Sequence, residues 1–80
     1  MTENISLSEL LPGSKAIITD LCAEGGMRRR LQDLGFVEGS EVDCVNISPL
    51  GDPTAYRISS TIIALRHEDA DKIKVKITKQ

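Results

Sequence analysis

Read for the spacing of its apolar side chains, the chain alternates with a period of two over several short stretches and shifts to a helical period once. Leu7 to Leu11 is a short apolar lead-in that stops at Pro12-Gly13, a pair whose backbone preferences specify a turn. Ser14 to Leu21 then predicts a strand, with Ile17, Thr19 and Leu21 on one face and Ala16 and Ile18 on the other. Between Glu24 and Leu34 the residues Met27, Leu31 and Leu34 fall on one narrow stripe of a helix. Gly35 ends that helix. With Gly35 as the left-handed residue after the cap, Phe36 closes back on Leu31 in a Schellman arrangement.

Glu38-Gly39 marks the next turn, and Glu41 to Ser48 a second strand in which Val42 and Cys44 face one way while Val45 and Ile47 face the other. A face switch of that kind predicts a bulge or a sharp bend. Pro49, Gly51 and Pro53 make Ser48 to Pro53 an irregular connection. Thr54 to Ile58 and Thr61 to Leu65 read as a hairpin about Ser59-Ser60, with Tyr56 and Ile58 on one face and Ile63 and Leu65 returning. His67 to Lys72 is one helical turn, with Ala70 and Ile73 facing inward. The last strand is the clearest: Ile73, Val75 and Ile77 alternate with Lys72, Lys74, Lys76 and Lys79, whose charges would guard a sheet edge. The expectation is a mainly β fold with one to two short helices, a small bent barrel of about five strands rather than a βαβ repeat.

Composition narrows the function. Eighty residues make one domain, 1–80, with a barrel core from about 7 to 78 and few apolar side chains to spare for a ligand cavity. The longest apolar run, Ile62 to Leu65, is far short of the roughly 20 residues that cross a bilayer, and the acidic start to Leu11 lacks a basic leader. No direct membrane insertion and a cytoplasmic location are the expectations. Cys22 and Cys44 lack metal or redox spacing and read as small core side chains, their pairing left open.

The chemistry is sparse. One histidine, no nucleophile motif and no phosphate-loop motif argue against an enzyme, so no catalytic residues are assigned. His67 with Glu68 and Asp71 is the nearest approach to a metal cluster and would suit Fe(II), Zn(II) or Mn(II), although two acids beside a histidine on a turn are usually solvated charge. No resident cofactor is assigned. Arg28, Arg29 and Arg30 fan around a helix instead of forming a stripe, and Glu24 and Asp33 stand at i, i+4 spacing to absorb part of their charge. Ten basic against twelve acidic residues give a net charge of −2. With Tyr56 as the sole ring candidate for stacking, nucleic-acid binding is not expected. Gly25-Gly26 before the helix could bring amides near an anion, but the pattern lacks the glycines and lysine of a phosphate loop.

The order of pieces carries more than any one of them. Leu11-Pro12-Gly13, Arg29-Arg30-Leu31 through Leu34-Gly35-Phe36, Glu38-Gly39, Ser48 to Pro53, Ile63-Ala64-Leu65-Arg66, and Ala70 with Ile73 together resemble the FeoA family over about Leu7 to Ile77. The related domain also ends iron-dependent repressors. This resemblance implies an SH3-like β-barrel and a non-enzymatic role beside FeoB, the membrane Fe(II) transporter with a cytosolic GTP-binding domain. It departs at Ser59-Ser60, where the family often places glycine, and it supplies no metal-ligand motif to map. The surfaces left for a partner are Arg28, Arg29 and Arg30 on the helix, and Leu50, Gly51, Asp52 and Pro53 in the loop. The alternatives are a metal-binding or metal-responsive module and a standalone relative of the repressor domain.

Overall fold

A computed structural model describes residues 4–79. Six strands form a single antiparallel sheet: β1 (Asn4–Ser6), β2 (Lys15–Leu21), β3 (Glu41–Ile47), β4 (Thr54–Ile58), β5 (Thr61–Leu65) and β6 (Ile73–Lys79). Two helices complete the fold, α1 (Gly25–Asp33) and the single turn α2 (His67–Ala70), with a 3-10 turn at Leu7–Glu9. The spatial order is β1-β6-β2-β3-β4-β5. The fold is mainly β, as the sequence predicts, with six strands instead of five. Within that order β1 and β5 are edges, so the word barrel describes curvature and not a closed ring of hydrogen bonds.

The 3-10 turn lies within the apolar lead-in Leu7 to Leu11, and three-residue β1 precedes it, where the sequence pattern predicts no element. A strand so short has no room to display alternation; it exists because Asn4 to Ser6 pair with Lys76 to Lys74 on β6. That pairing also corrects the placement of the lysine strand. β6 lies between β1 and β2, not at an edge, and the half-buried Lys74 ammonium donates to Ser6 Oγ at 2.8 Å.

Curvature comes from irregular pairing. The β2–β6 register shifts between Ile18 and Asp20, and the β3–β4 register between Cys44 and Asn46. An extra residue bends a strand and turns the following side chains to the other face. Leu21 is therefore buried beside Ala16 and Ile18 rather than sharing a face with Ile17 and Thr19. The bulged groups keep partners: Thr19 Oγ1 donates to the Lys74 carbonyl at 3.2 Å, and Asp20 Oδ1 accepts the Leu21 N–H at 2.8 Å. On β3 the predicted face switch falls at this bulge, leaving Val45 half-buried and Ile47 exposed.

The enclosed face carries Val42, Cys44, Tyr56, Ile58, Leu65, Ile73 and Val75, closed over by Leu7, Leu10, Leu31 and Phe36. Helix α1 ends as its sequence predicts. Phe36 N–H donates to the Leu31 carbonyl at 2.9 Å and Gly35 N–H to Gln32 at 3.0 Å, the two bonds of a Schellman cap. Gly35 has φ +107°, which strains any other residue, and a Cβ there would also crowd Ser59 Oγ at 3.3 Å. Cys44 is buried as expected, whereas Cys22 is exposed, because it lies just past β2 where the chain leaves the sheet; both are free thiols.

Tyr56 is buried, which removes the one stacking candidate read from the sequence. Its hydroxyl donates to the Leu7 carbonyl at 3.2 Å, tying β4 to the 3-10 turn. Burial, with smaller contributions from Cys44 and Asp52, pushes this phenol up to about 12 from its ordinary value of 10.

Two outcomes follow from the core and the hairpin. A phenol raised in the folded state supports folding fully below about pH 10, and that support drains away as pH climbs toward about 12. Tyr56→Phe should flatten this alkaline loss while costing about 1 kcal/mol at neutral pH, read by denaturant melts across the range. The single tyrosine makes tyrosinate absorbance a direct monitor. Ser59 and Ser60 hold φ of +50° and +67°, the conformation of a two-residue type I′ turn. Ser59→Asn with Ser60→Gly should therefore raise stability by about 1 kcal/mol, or roughly 4–8 °C in Tm by calorimetry.

Candidate functional site

The loop from Ser48 to Pro53 is closed on itself before it meets anything else. Gly51 N–H donates to the Ser48 carbonyl at 2.8 Å, and Ser48 N–H to Pro53 at 3.3 Å. Pro49 fits the second position of such a turn, and Gly51 supplies the positive φ of +85°. Leu50 is thereby forced outward and is 93% exposed, so it does not plug the end of the sheet.

Asp52 then fixes the loop to α2. Its Oδ1 accepts the backbone N–H of His67 at 2.8 Å, at the first residue of a turn whose own cap, Arg66, offers no side-chain acceptor. At the other end of that turn, Asp71 Oδ1 accepts the Ser8 hydroxyl at 3.1 Å, linking α2 to the 3-10 turn. Two groups that lie far apart in the sequence, the Leu50 loop and the His67 to Asp71 segment, are one assembly. The same bonds bear on the metal alternative. Asp71 already accepts the Ser8 hydroxyl, and among the described residues no three His, Cys, Asp or Glu side chains converge.

The arginines separate into two kinds. Arg28 is half-buried, and its guanidinium donates to the Leu21 carbonyl at 2.9 Å, fastening α1 to the end of β2. Arg29 and Arg30 are exposed. The expected pairs Glu24–Arg28 and Arg29–Asp33 do not form: Glu24 stands at the N-cap position of α1 with no side-chain bond to it, Arg28 turns to the backbone, and the ion pair among the described residues joins Arg57 to Asp43 at 3.5 Å. Gly25 and Gly26 are the exposed first residues of α1 itself. Leu21 pairs with Ile73 and Cys22 N–H donates to the Lys72 carbonyl, so the segment that leads into α1 passes the segment that leaves α2. The lead-in to the arginine helix and the Leu50 loop thus meet the α2 segment at opposite ends.

The FeoA domain model matches residues 5–77. The chain belongs to the FeoA family. A curated relative, the Fe(2+) transport protein A/Fe(2+) transporter FeoB fusion protein of Porphyromonas gingivalis, is 42% identical over 71 residues. That match takes in 89% of this chain and 8% of the fusion protein. Among solved structures, iron(II) transport protein A of Clostridium thermocellum superposes with a TM-score of 0.90 at 39% identity, over 92% of this chain and 46% of that one. A zinc complex of Stenotrophomonas maltophilia FeoA, described as a procaryotic SH3 domain protein, gives 0.75 at 37% identity over 89% and 88% of the two chains. IdeR of Thermoplasma acidophilum, at 20% identity and a TM-score of 0.81 over 92% of this chain and 34% of that one, is a likeness of fold alone. The FeoA chain contains no helix, among its described residues, long and apolar enough to cross a membrane.

Sequence reasoning placed the loop and the α2 turn separately and missed the Asp52–His67 bond that joins them. Its only sequence signal is an acidic residue in a loop between prolines, which names no partner. The bond makes a test. Asp52→Ala should lower stability by about 0.5–1 kcal/mol and speed exchange of the His67 amide. Arg28→Ala should cost about 1 kcal/mol, whereas Arg29→Ala and Arg30→Ala should stay within about 0.5 kcal/mol in the same melts.

Proposed function

We propose that this FeoA chain is a non-catalytic accessory module of ferrous iron uptake that works in the cytoplasm by docking on the cytosolic part of a FeoB-type transporter. The observation that carries the reading is the fusion relative, in which a segment 42% identical to this chain is named together with FeoB in one polypeptide. Two functions fused in one chain operate at high effective concentration, an arrangement useful where the separate parts meet anyway.

The surface that fits such a role is the Leu50 loop with α2 beside it. A leucine held 93% exposed by a self-closed turn gains nothing in the free chain, and it becomes useful when a partner covers it. Arg29 and Arg30, exposed on α1, suit a rim of charge, which sets approach and orientation more than affinity. Arg28 is excluded from that rim by its bond to Leu21.

The test is a titration of the FeoB cytosolic domain with the full chain. Saturable binding at or below tens of micromolar is expected. Leu50→Ser should weaken it by roughly tenfold or more without moving Tm, since the side chain packs against nothing to lose. No association in that range, or equal binding by wild type and Leu50→Ser, would overturn the proposal.

A further inference from the structure

Strand β5 is an uncapped edge of a kind that soluble proteins usually defend. Its sequence, Thr61-Ile62-Ile63-Ala64-Leu65, holds no charge and no proline, while the lysines that would guard an edge lie on interior β6. The hairpin register pairs Ile58 with Thr61, Tyr56 with Ile63 and Thr54 with Leu65. In a two-residue hairpin the pair flanking the turn is hydrogen-bonded and the bonded pairs recur at alternate positions. Thr61, Ile63 and Leu65 therefore direct their backbone groups to β4. Ile62 and Ala64 direct theirs outward, away from the sheet. Their side chains lie on the outer face as well, and Ile62 is 57% exposed.

We infer that β5 is a self-association edge, on which a second copy of this chain adds its own β5 antiparallel about a two-fold axis at Ile63. In that register Ile62 faces Ala64 of the second copy and Ala64 faces its Ile62, so both outward-directed residues of each strand bond on both groups. Shifting the centre to Ile62 leaves only one such pair. The two Ile62 side chains become diagonal neighbours across the axis and cover each other.

Charge at the ends fixes the choice of a second copy. The same register sets Arg66, exposed and on the face of Ile62 and Ala64, opposite Ser60 of the other copy. Ser60 lines an open groove of about 350 Å³ at the hairpin tip, together with Ser40, Glu41, Asp43, Arg57 and Ser59. Arg57 already holds Asp43 at 3.5 Å, which leaves Glu41 as the carboxylate for the incoming Arg66. The two-fold axis makes this contact twice. A short edge with two ion pairs gives a weak, concentration-dependent dimer that needs no transporter to form.

The experiment is sedimentation velocity of the full chain from micromolar to millimolar concentration, with amide exchange of Ile62 and Ala64 by NMR. Wild type should dimerise as concentration rises, with those two amides gaining protection. Ile62→Lys, at an exposed position that leaves the fold intact, should remain monomeric. R66E and E41R should each weaken association about tenfold, and an equimolar mixture of the two should recover it, because the mixed dimer restores both pairs. A wild type monomeric at millimolar concentration, association unchanged in Ile62→Lys, or no recovery in the mixture would each overturn the proposal. Edge protection that appears only on adding another protein would overturn it too.

Discussion

The fold hangs on the irregular turn of β2 against β6 between Ile18 and Asp20. A regular strand would carry Leu21 to the outer face with Ile17 and Thr19, and a chain of 80 residues has no second core in which to bury it. The shifted register brings Leu21 inward, and the side chains of Thr19 and Asp20 satisfy the backbone groups that the shift frees. Everything at that end follows. The Leu21 carbonyl receives Arg28, which sets α1; Cys22 reaches the Lys72 carbonyl, which sets the end of α2; and Ser8 and Asp52 hold α2 from its other sides.

What the sequence made legible was local. Gly35, Phe36 and Leu31 contain the whole Schellman cap, because its bonds join residues within one turn of helix. The alternation Ile73, Val75, Ile77 likewise assigns a strand and its buried face. It does not assign a position within the sheet, since a lysine face looks the same on an edge strand and on an inner strand whose outer side meets water. The neighbour that decides it, β1, is three residues long and has no period to read. Tyr56 failed as a surface ring for a related reason: its alternation with Ile58 marked a face, and only the Leu7 carbonyl 49 positions away shows that the hydroxyl has a buried partner.

At the candidate site the sequence supplied the members and not their assembly. Leu50, an apolar residue set between Pro49 and Gly51, was visible, and so were Asp52 and His67. The hydrogen bond that joins Asp52 to the His67 amide is a long-range pairing of a carboxylate with a backbone group, and every backbone N–H in the chain offers the same chemistry. The three arginines show the converse. Their equal spacing suggests equal roles, and the geometry divides them, giving one to the Leu21 carbonyl and two to solvent.

The loop and the open edge meet at a single joint. Thr54, the first residue after Pro53, pairs with Leu65, the last residue of β5, and Arg66 both follows that edge and caps the turn that Asp52 holds. A body seated on Leu50 therefore lies beside the end of β5, whereas the hairpin tip at Ser59-Ser60 is at the strand's far end. Because the joint is made of paired backbone and a short capped turn, the direct influence between the two surfaces is steric. Two copies joined about Ile63 would bring each Leu50 loop next to the hairpin tip of the other, so bulk approaching Leu50 is felt first at Arg66. In a molecule with one thin core, neighbouring surfaces share their supports, and occupying one changes the room left at the other.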